Sequence, residues 1–112
     1  MIDYKLQNKI ILRNFSESSD KHDVIKTLLY RMLRRKYKGC PIYTEYQLEG
    51  EIPDIYLDTG KGIIIFEIQK EISPAWLKEM FLRYGDVDLI VVPVKELSDD
   101  INELREELNK YI

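Results

Sequence analysis

Asp54, Glu67 and Gln69 are the residues of this sequence whose types and spacing could do chemistry together. Two β-rich runs flank Thr59-Gly60-Lys61-Gly62, which has hairpin-turn composition. With Gly60 and Lys61 as the central turn residues, positions equidistant from that pair face one another, which sets Asp54 opposite Glu67. Their Cβ atoms then lie roughly 4.5–5.5 Å apart on one face of an antiparallel pair. Two carboxylates so placed destabilise each other unless a divalent cation lies between them. Strand alternation brings Gln69 to the same face and turns Lys70 away. A plainer reading makes Glu67 and Gln69 the point where the strand meets water, and Asp54 a turn residue after Pro53. Glu67 lies inside the apolar run Ile63–Ile68 rather than after it, which favours chemistry.

The elements that must position these residues follow from pattern. Residues 2–15 alternate in part and suggest an extended segment or loose hairpin around Asn8. Ser16 to Asp20 offers N-cap oxygens for a helix of about 19 residues ending near Gly39, with Pro41 barring its continuation. Its apolar stripe is Ile25, Leu28, Leu29, Met32 and Leu33, with His22 one turn earlier on the same side. Ile42–Leu48 and Asp54–Asp58 read as strands, and Ile63–Gln69 as a strand buried on both faces. Ser73-Pro74 opens a helix that buries Trp76, Leu77, Met80, Phe81 and Tyr84 and stops at Gly85. Val87–Val92 is a further buried strand, and Ser98 caps a last helix with the stripe Ile101, Leu104, Leu108 and Tyr111 or Ile112. The fold class is therefore α/β: one domain over residues 1–112, a central mixed sheet of about four strands flanked by helices, in the order helix, three strands, helix, strand, helix.

Composition narrows the chemistry. One histidine and one cysteine exclude a His/Cys zinc cluster and an internal disulfide, so any metal must be held by oxygen. No apolar run approaches the roughly 20 residues that span a bilayer, and the first residues lack a signal-peptide layout, so a cytoplasmic protein is expected. High Lys, Glu, Ile and Tyr usage fits a thermophilic source. The net charge of -3 argues against coating nucleic acid by bulk charge, but the charge is uneven. Between residues 21 and 38 lie Lys21, Lys26, Arg31, Arg34, Arg35, Lys36 and Lys38 against Asp23 alone. That face is either a plain solvated cationic surface or a seat for a phosphate backbone. Trp76 and Tyr84 read as core rather than stacking platforms, and Arg83 as a complement to its helix dipole. Cys40 has no histidine near it in sequence and does not read as a nucleophile.

A family resemblance becomes specific at these residues. Pro53-Asp54-Ile55-Tyr56-Leu57 followed by Ile63-Ile64-Ile65-Phe66-Glu67-Ile68-Gln69 resembles the PD-(D/E)xK nuclease signature in its E-x-Q form. Glu67-Ile68-Gln69 with Ile72-Ser73-Pro74 and a helix ending in Arg83-Tyr84 is similar to competence-protein CoiA-like nucleases, as are His22 and Lys26 on the first helix and Glu45 on the first strand. The resemblance covers residues 20–93, and the size and element order also resemble small archaeal Holliday-junction resolvases. It implies a restriction-endonuclease-like core and metal-dependent hydrolysis of DNA phosphodiesters, in a structure-specific, resolvase-like form. Asp54 and Glu67 would ligate Mg²⁺ or Mn²⁺, with Glu45 as an outer carboxylate and His22 contacting the metal shell or phosphate. The third signature position is usually lysine. Here Gln69 can orient a water but cannot take its proton, so Lys26 becomes the candidate that reaches in. DNA is the implied partner, with a homodimer or partner protein completing recognition and no membrane role. The alternative is a nuclease-fold protein that binds nucleic acid or a protein without cutting, and a third class is a small interaction protein.

Overall fold

The computed structural model of the protein describes residues 17–48 and 50–112. The expected segment over residues 2–15, and the Ser16 end of the capping cluster, lie outside them. Helix α1 spans Glu17–Lys36. Its stripe turns inward: Ile25, Leu29 and Leu33 are fully buried, Leu28 and Met32 pack half-buried beside them, and Tyr30 joins the buried set.

Strand β1 is Ile42–Thr44, shorter than the expected Ile42–Leu48. The chain leaves the ladder at Glu45, which takes a left-handed φ of 57°. That conformation costs a non-glycine residue about 1–2 kcal/mol, and it redirects Glu45 toward α1. Strands β2 (Ile55–Asp58), β3 (Ile63–Gln69) and β4 (Asp88–Pro93) complete one sheet of order β1-β2-β3-β4. The first three are antiparallel neighbours, whereas β3 and β4 are parallel and joined through helix α2, Pro74–Tyr84. Helix α3 covers Ile101–Leu108, and short 3₁₀ turns follow β4 and α3. The element order is that expected from the pattern: helix, three strands, helix, strand, helix.

Strand alternation splits the interior into two layers. Ile55 and Leu57 of β2 and Phe66 and Ile68 of β3 face α1 and α3, forming the main core with Leu104 and Leu108. Ile65 faces the other way, against Met80 and Tyr84 of α2. Among the described residues, α2 is the helix that covers this second layer. Phe81, expected inside, is 50% exposed. Ile101, expected in the α3 stripe, is 51% exposed because it starts the helix beyond the core edge. Ser73 caps α2 as expected, accepting the Trp76 N–H at 3.1 Å. The cap of α3 is Asp100 rather than Ser98: its carboxylate accepts from the N–H groups of Asn102 and Glu103, while Ser98 Oγ accepts the Asp100 N–H.

Candidate active site

The β2–β3 hairpin fixes the centre of the site. Thr59 N–H donates to the Gly62 carbonyl at 3.0 Å across a turn in which Gly60 has a φ of 84°, a conformation glycine adopts without a Cβ clash. The ladder then pairs Asp58 with Ile63, Tyr56 with Ile65 and Ile55 with Phe66. Asp54 and Glu67 are the next facing pair, just past the start of β2. Both are buried, at 4% and 7% exposure.

The two carboxyls hydrogen-bond to each other, and each has a further partner of its own. Asp54 Oδ2 accepts the Ile68 N–H at 2.7 Å, so the side chain takes a β3 donor where the β2 ladder has ended. Asp54 Oδ1 lies 3.2 Å from His22 Nε2. Glu67 Oε2 accepts from the Tyr84 hydroxyl at 2.8 Å. Burial alone would raise the pKa of Asp54, but the His22 and Ile68 hydrogen bonds and the nearby charges of His22 and Lys26 hold it below the usual carboxylate value. Glu67 goes the other way. Burial, reinforced by the charge of Asp54, pushes it up to about 7, against the opposing Tyr84 hydrogen bond. The pair thus divides into an ionised carboxylate and one that holds its proton close to neutrality, the separation expected where two acids share a buried site.

Helix α1 supplies the other side of the site. His22 stands between two acids, with Nδ1 3.5 Å from Asp23 Oδ1 and Nε2 on Asp54. One turn later Lys26 is 1% exposed, and its Nζ lies 2.8 Å from Glu45 Oε2. The left-handed turn at Glu45 makes that pair, placing this residue on Lys26. Gln69 shares the strand face of Glu67 by alternation and is half-buried at the sheet edge of the site, in register with Pro93.

The donor set bears on which metal the site could take. Among the described residues no group of three or more His, Cys, Asp and Glu side chains is arranged to cage an ion. Mg²⁺ needs no such cage, because it is usually held by one or two carboxylates and keeps several waters. Asp54 and Glu67 fit that requirement, and their mutual repulsion is what a bound cation would relieve.

Two residues enter the site that pattern did not bring there. Asp23 figured only as a charge; it is 8% exposed, and among the described residues its Oδ2 is buried with no hydrogen-bond partner. Tyr84 is core, as expected, but is also the donor to Glu67. The available signal was its type: a tyrosine on a buried helical stripe needs a partner for its hydroxyl.

Comparison with known proteins adds little to this geometry. No family model matches the chain, and no solved structure matches it. A protein of Halorubrum lacusprofundi described as an uncharacterized protein is 31% identical over 97 residues, a match that takes in 66% of this chain and 26% of the relative. The chain thus spans about a quarter of that protein's length.

Proposed function

We propose that the protein is a metal-dependent endonuclease that hydrolyses DNA phosphodiesters, in keeping with its resemblance to PD-(D/E)xK nucleases. The observation that carries this reading is the buried Asp54–Glu67 pair at the end of β2 and β3, with His22 and Lys26 of α1 beside it. A buried acid pair contributes nothing to the core that apolar residues would not supply better. Its place is explained by a ligand that neutralises it.

In this account Asp54 is the permanently ionised ligand, fixed by the Ile68 N–H. Glu67 would be the second ligand, as a carboxylate held by the Tyr84 hydroxyl. Bound Mg²⁺ or Mn²⁺ supplies activation of a water and neutralisation of charge on the phosphate. Gln69 orients that water by hydrogen bonding. Lys26, close enough to lower the Asp54 pKa, brings a positive charge toward the phosphate, and Glu45 holds its Nζ. His22 faces Asp54 and is placed to contact the phosphate or a metal-bound water.

One feature supports a second reading, a protein that binds DNA without cutting it: Gln69 cannot act as a base, and Lys26 is engaged with Glu45. Labelled single-stranded, duplex, flap and four-way-junction DNA, incubated with Mg²⁺ or Mn²⁺, separates the two. Metal-dependent cutting that disappears in Asp54→Ala and Glu67→Ala supports the endonuclease. Folded wild-type protein that binds but never cuts overturns it in favour of the second reading.

A further inference from the structure

The C-terminal end of α1 carries more positive charge than its local structure requires. Arg31, Arg34, Arg35, Lys36 and the following Lys38 are all exposed. Neutralising the end of a helix dipole takes about half a charge, and these residues bring five. Elsewhere Lys21, Arg83 and Lys95 each meet a carboxylate, while exposed cations such as Lys61 and Lys78 stand singly rather than in a cluster. Among the described residues, none of the five at this end pairs with an Asp or Glu side chain. Arg34 lies over the Tyr30 ring, 5.8 Å from its centroid, and Lys36 lies 5.5 Å from the Tyr37 ring centroid and donates to the Ile112 carbonyl. In a chain of net charge -3, this is a local concentration of uncompensated cations.

The shape beside these residues suits an extended polyanion. Arg31, Arg34 and Arg35 follow the i, i+3, i+4 spacing that sets side chains on one helix face. Arg34 and Lys38 line an open cleft with Tyr30, Tyr37 and the Gly39–Ile42 turn into β1. Arg35 and Lys36 line a second cleft with Arg105 of α3 on the other flank. The first cleft lies between α1 and β1, the same two elements that meet at Lys26 and Glu45. The cationic end and the site therefore lie along the same helix, α1. At 1.5 Å per residue, His22 to Arg35 is about 20 Å and Lys26 to Arg34 about 12 Å.

We infer that this end of α1 is a second DNA contact, holding the phosphate backbone of a duplex about four to six base pairs from the reacting phosphate, at 3.4 Å per base pair. The inference rests on the endonuclease reading for its distance from the cut, but the contact itself needs no catalysis. It assigns the substrate a minimum length: duplex must continue past the cut on one side for about half a helical turn.

The test reads binding in EDTA, without cleavage. A labelled 20-base-pair duplex is titrated at several salt concentrations with wild type, Arg31→Gln/Arg34→Gln/Arg35→Gln, and a control Lys61→Gln/Lys78→Gln whose lysines lie on other elements. The triple variant should bind at least about tenfold more weakly, with the slope of log K against log salt reduced by about 2.7, or 0.9 per lost phosphate contact. The control should change little, and matching circular dichroism and Tm should show all three folded, since the altered side chains are exposed. An unchanged slope in the triple variant overturns the inference. So does wild-type protein that ignores DNA but binds phosphatidylserine vesicles through these arginines. Loss of binding in the triple variant from a protein that never cuts DNA upholds the contact and removes the endonuclease reading. Metal-dependent cutting with unaltered binding by the triple variant does the reverse.

Discussion

The Tyr84 hydroxyl of α2 donates to Glu67 Oε2 of β3 at 2.8 Å. Each group changes the other: burial, and then the Glu67 carboxylate, raise the tyrosine pKa, and the hydroxyl restrains the rise at Glu67. The phenol thus serves as a fixed donor and keeps its proton. Tyr84→Phe preserves the ring packing against Met80 and Ile65 and removes only that donor. Glu67 should then titrate above its present value of about 7. Metal-dependent cleavage at pH 7 should fall by about tenfold and recover toward pH 9, and a pH–rate profile for both proteins would reveal the shift. An unshifted profile would detach Tyr84 from the reacting carboxylate.

Glu67 also predicts an unusual pH dependence of stability without metal. Its folded pKa of about 7 lies above its ordinary value of 4.5, so the folded chain holds the proton more tightly than the unfolded one. The resulting stabilisation is complete below pH 4.5 and disappears as pH rises through 7, about 3 kcal/mol in all. Asp54, lowered in the folded chain, has the opposite sign and contributes above its unfolded pKa. Urea unfolding in EDTA should show the Glu67 loss between pH 5 and 8 in wild type and not in Glu67→Gln.

Lys26 is 1% exposed, and its partner Glu45 is half-buried. Removing the ammonium takes a charge-assisted hydrogen bond from a half-buried carboxylate, so Lys26→Met should destabilise by about 1–3 kcal/mol. The double variant Lys26→Met/Glu45→Leu should recover much of that loss while remaining without activity. Equilibrium unfolding of the three variants and wild type forms a double-mutant cycle, and a coupling near zero would mean the two side chains act independently.

Asp54→Asn keeps an oxygen for the Ile68 N–H and loses the charge. Cleavage should fall by at least about a hundredfold, more than is usual for loss of an outer-shell partner. The Glu67 pKa should drop toward 4.5, because one cause of its elevation is gone. A carboxyl titration followed by NMR in Asp54→Asn checks the second half independently of activity.

Local pattern made most of this arrangement legible. The apolar run Ile63–Ile68, the Gly60-Lys61 turn and the Ser73-Pro74 opening each depend on near neighbours, and each matches the structure. The register up to Ile55 and Phe66 followed from the same turn, and it leads to Asp54 and Glu67 as the next residues along. What escaped the sequence depends on tertiary contact. β1 ends where Glu45 takes a left-handed turn and pairs with Lys26, 19 residues away, a contact that local β propensity does not encode. Phe81 stays 50% exposed although it lies on the apolar stripe of α2, because what covers a helix face is not encoded in its own spacing. Asp23 joins the site only through the orientation of His22, and a lone acid beside a histidine carries no periodic signal.

Metal-dependent chemistry at this site requires that Asp54 and Glu67 together take a hard divalent cation. Calorimetric titration of Mn²⁺ into metal-free protein at pH 6 and pH 8, in buffers of different ionisation enthalpy, measures both affinity and released protons. The account predicts a saturable site in wild type, proton release at pH 6 that largely vanishes at pH 8 as Glu67 ionises beforehand, and loss of the site in Asp54→Asn and Glu67→Gln. Absence of saturable binding by folded wild-type protein, or equal binding by both variants, would contradict it.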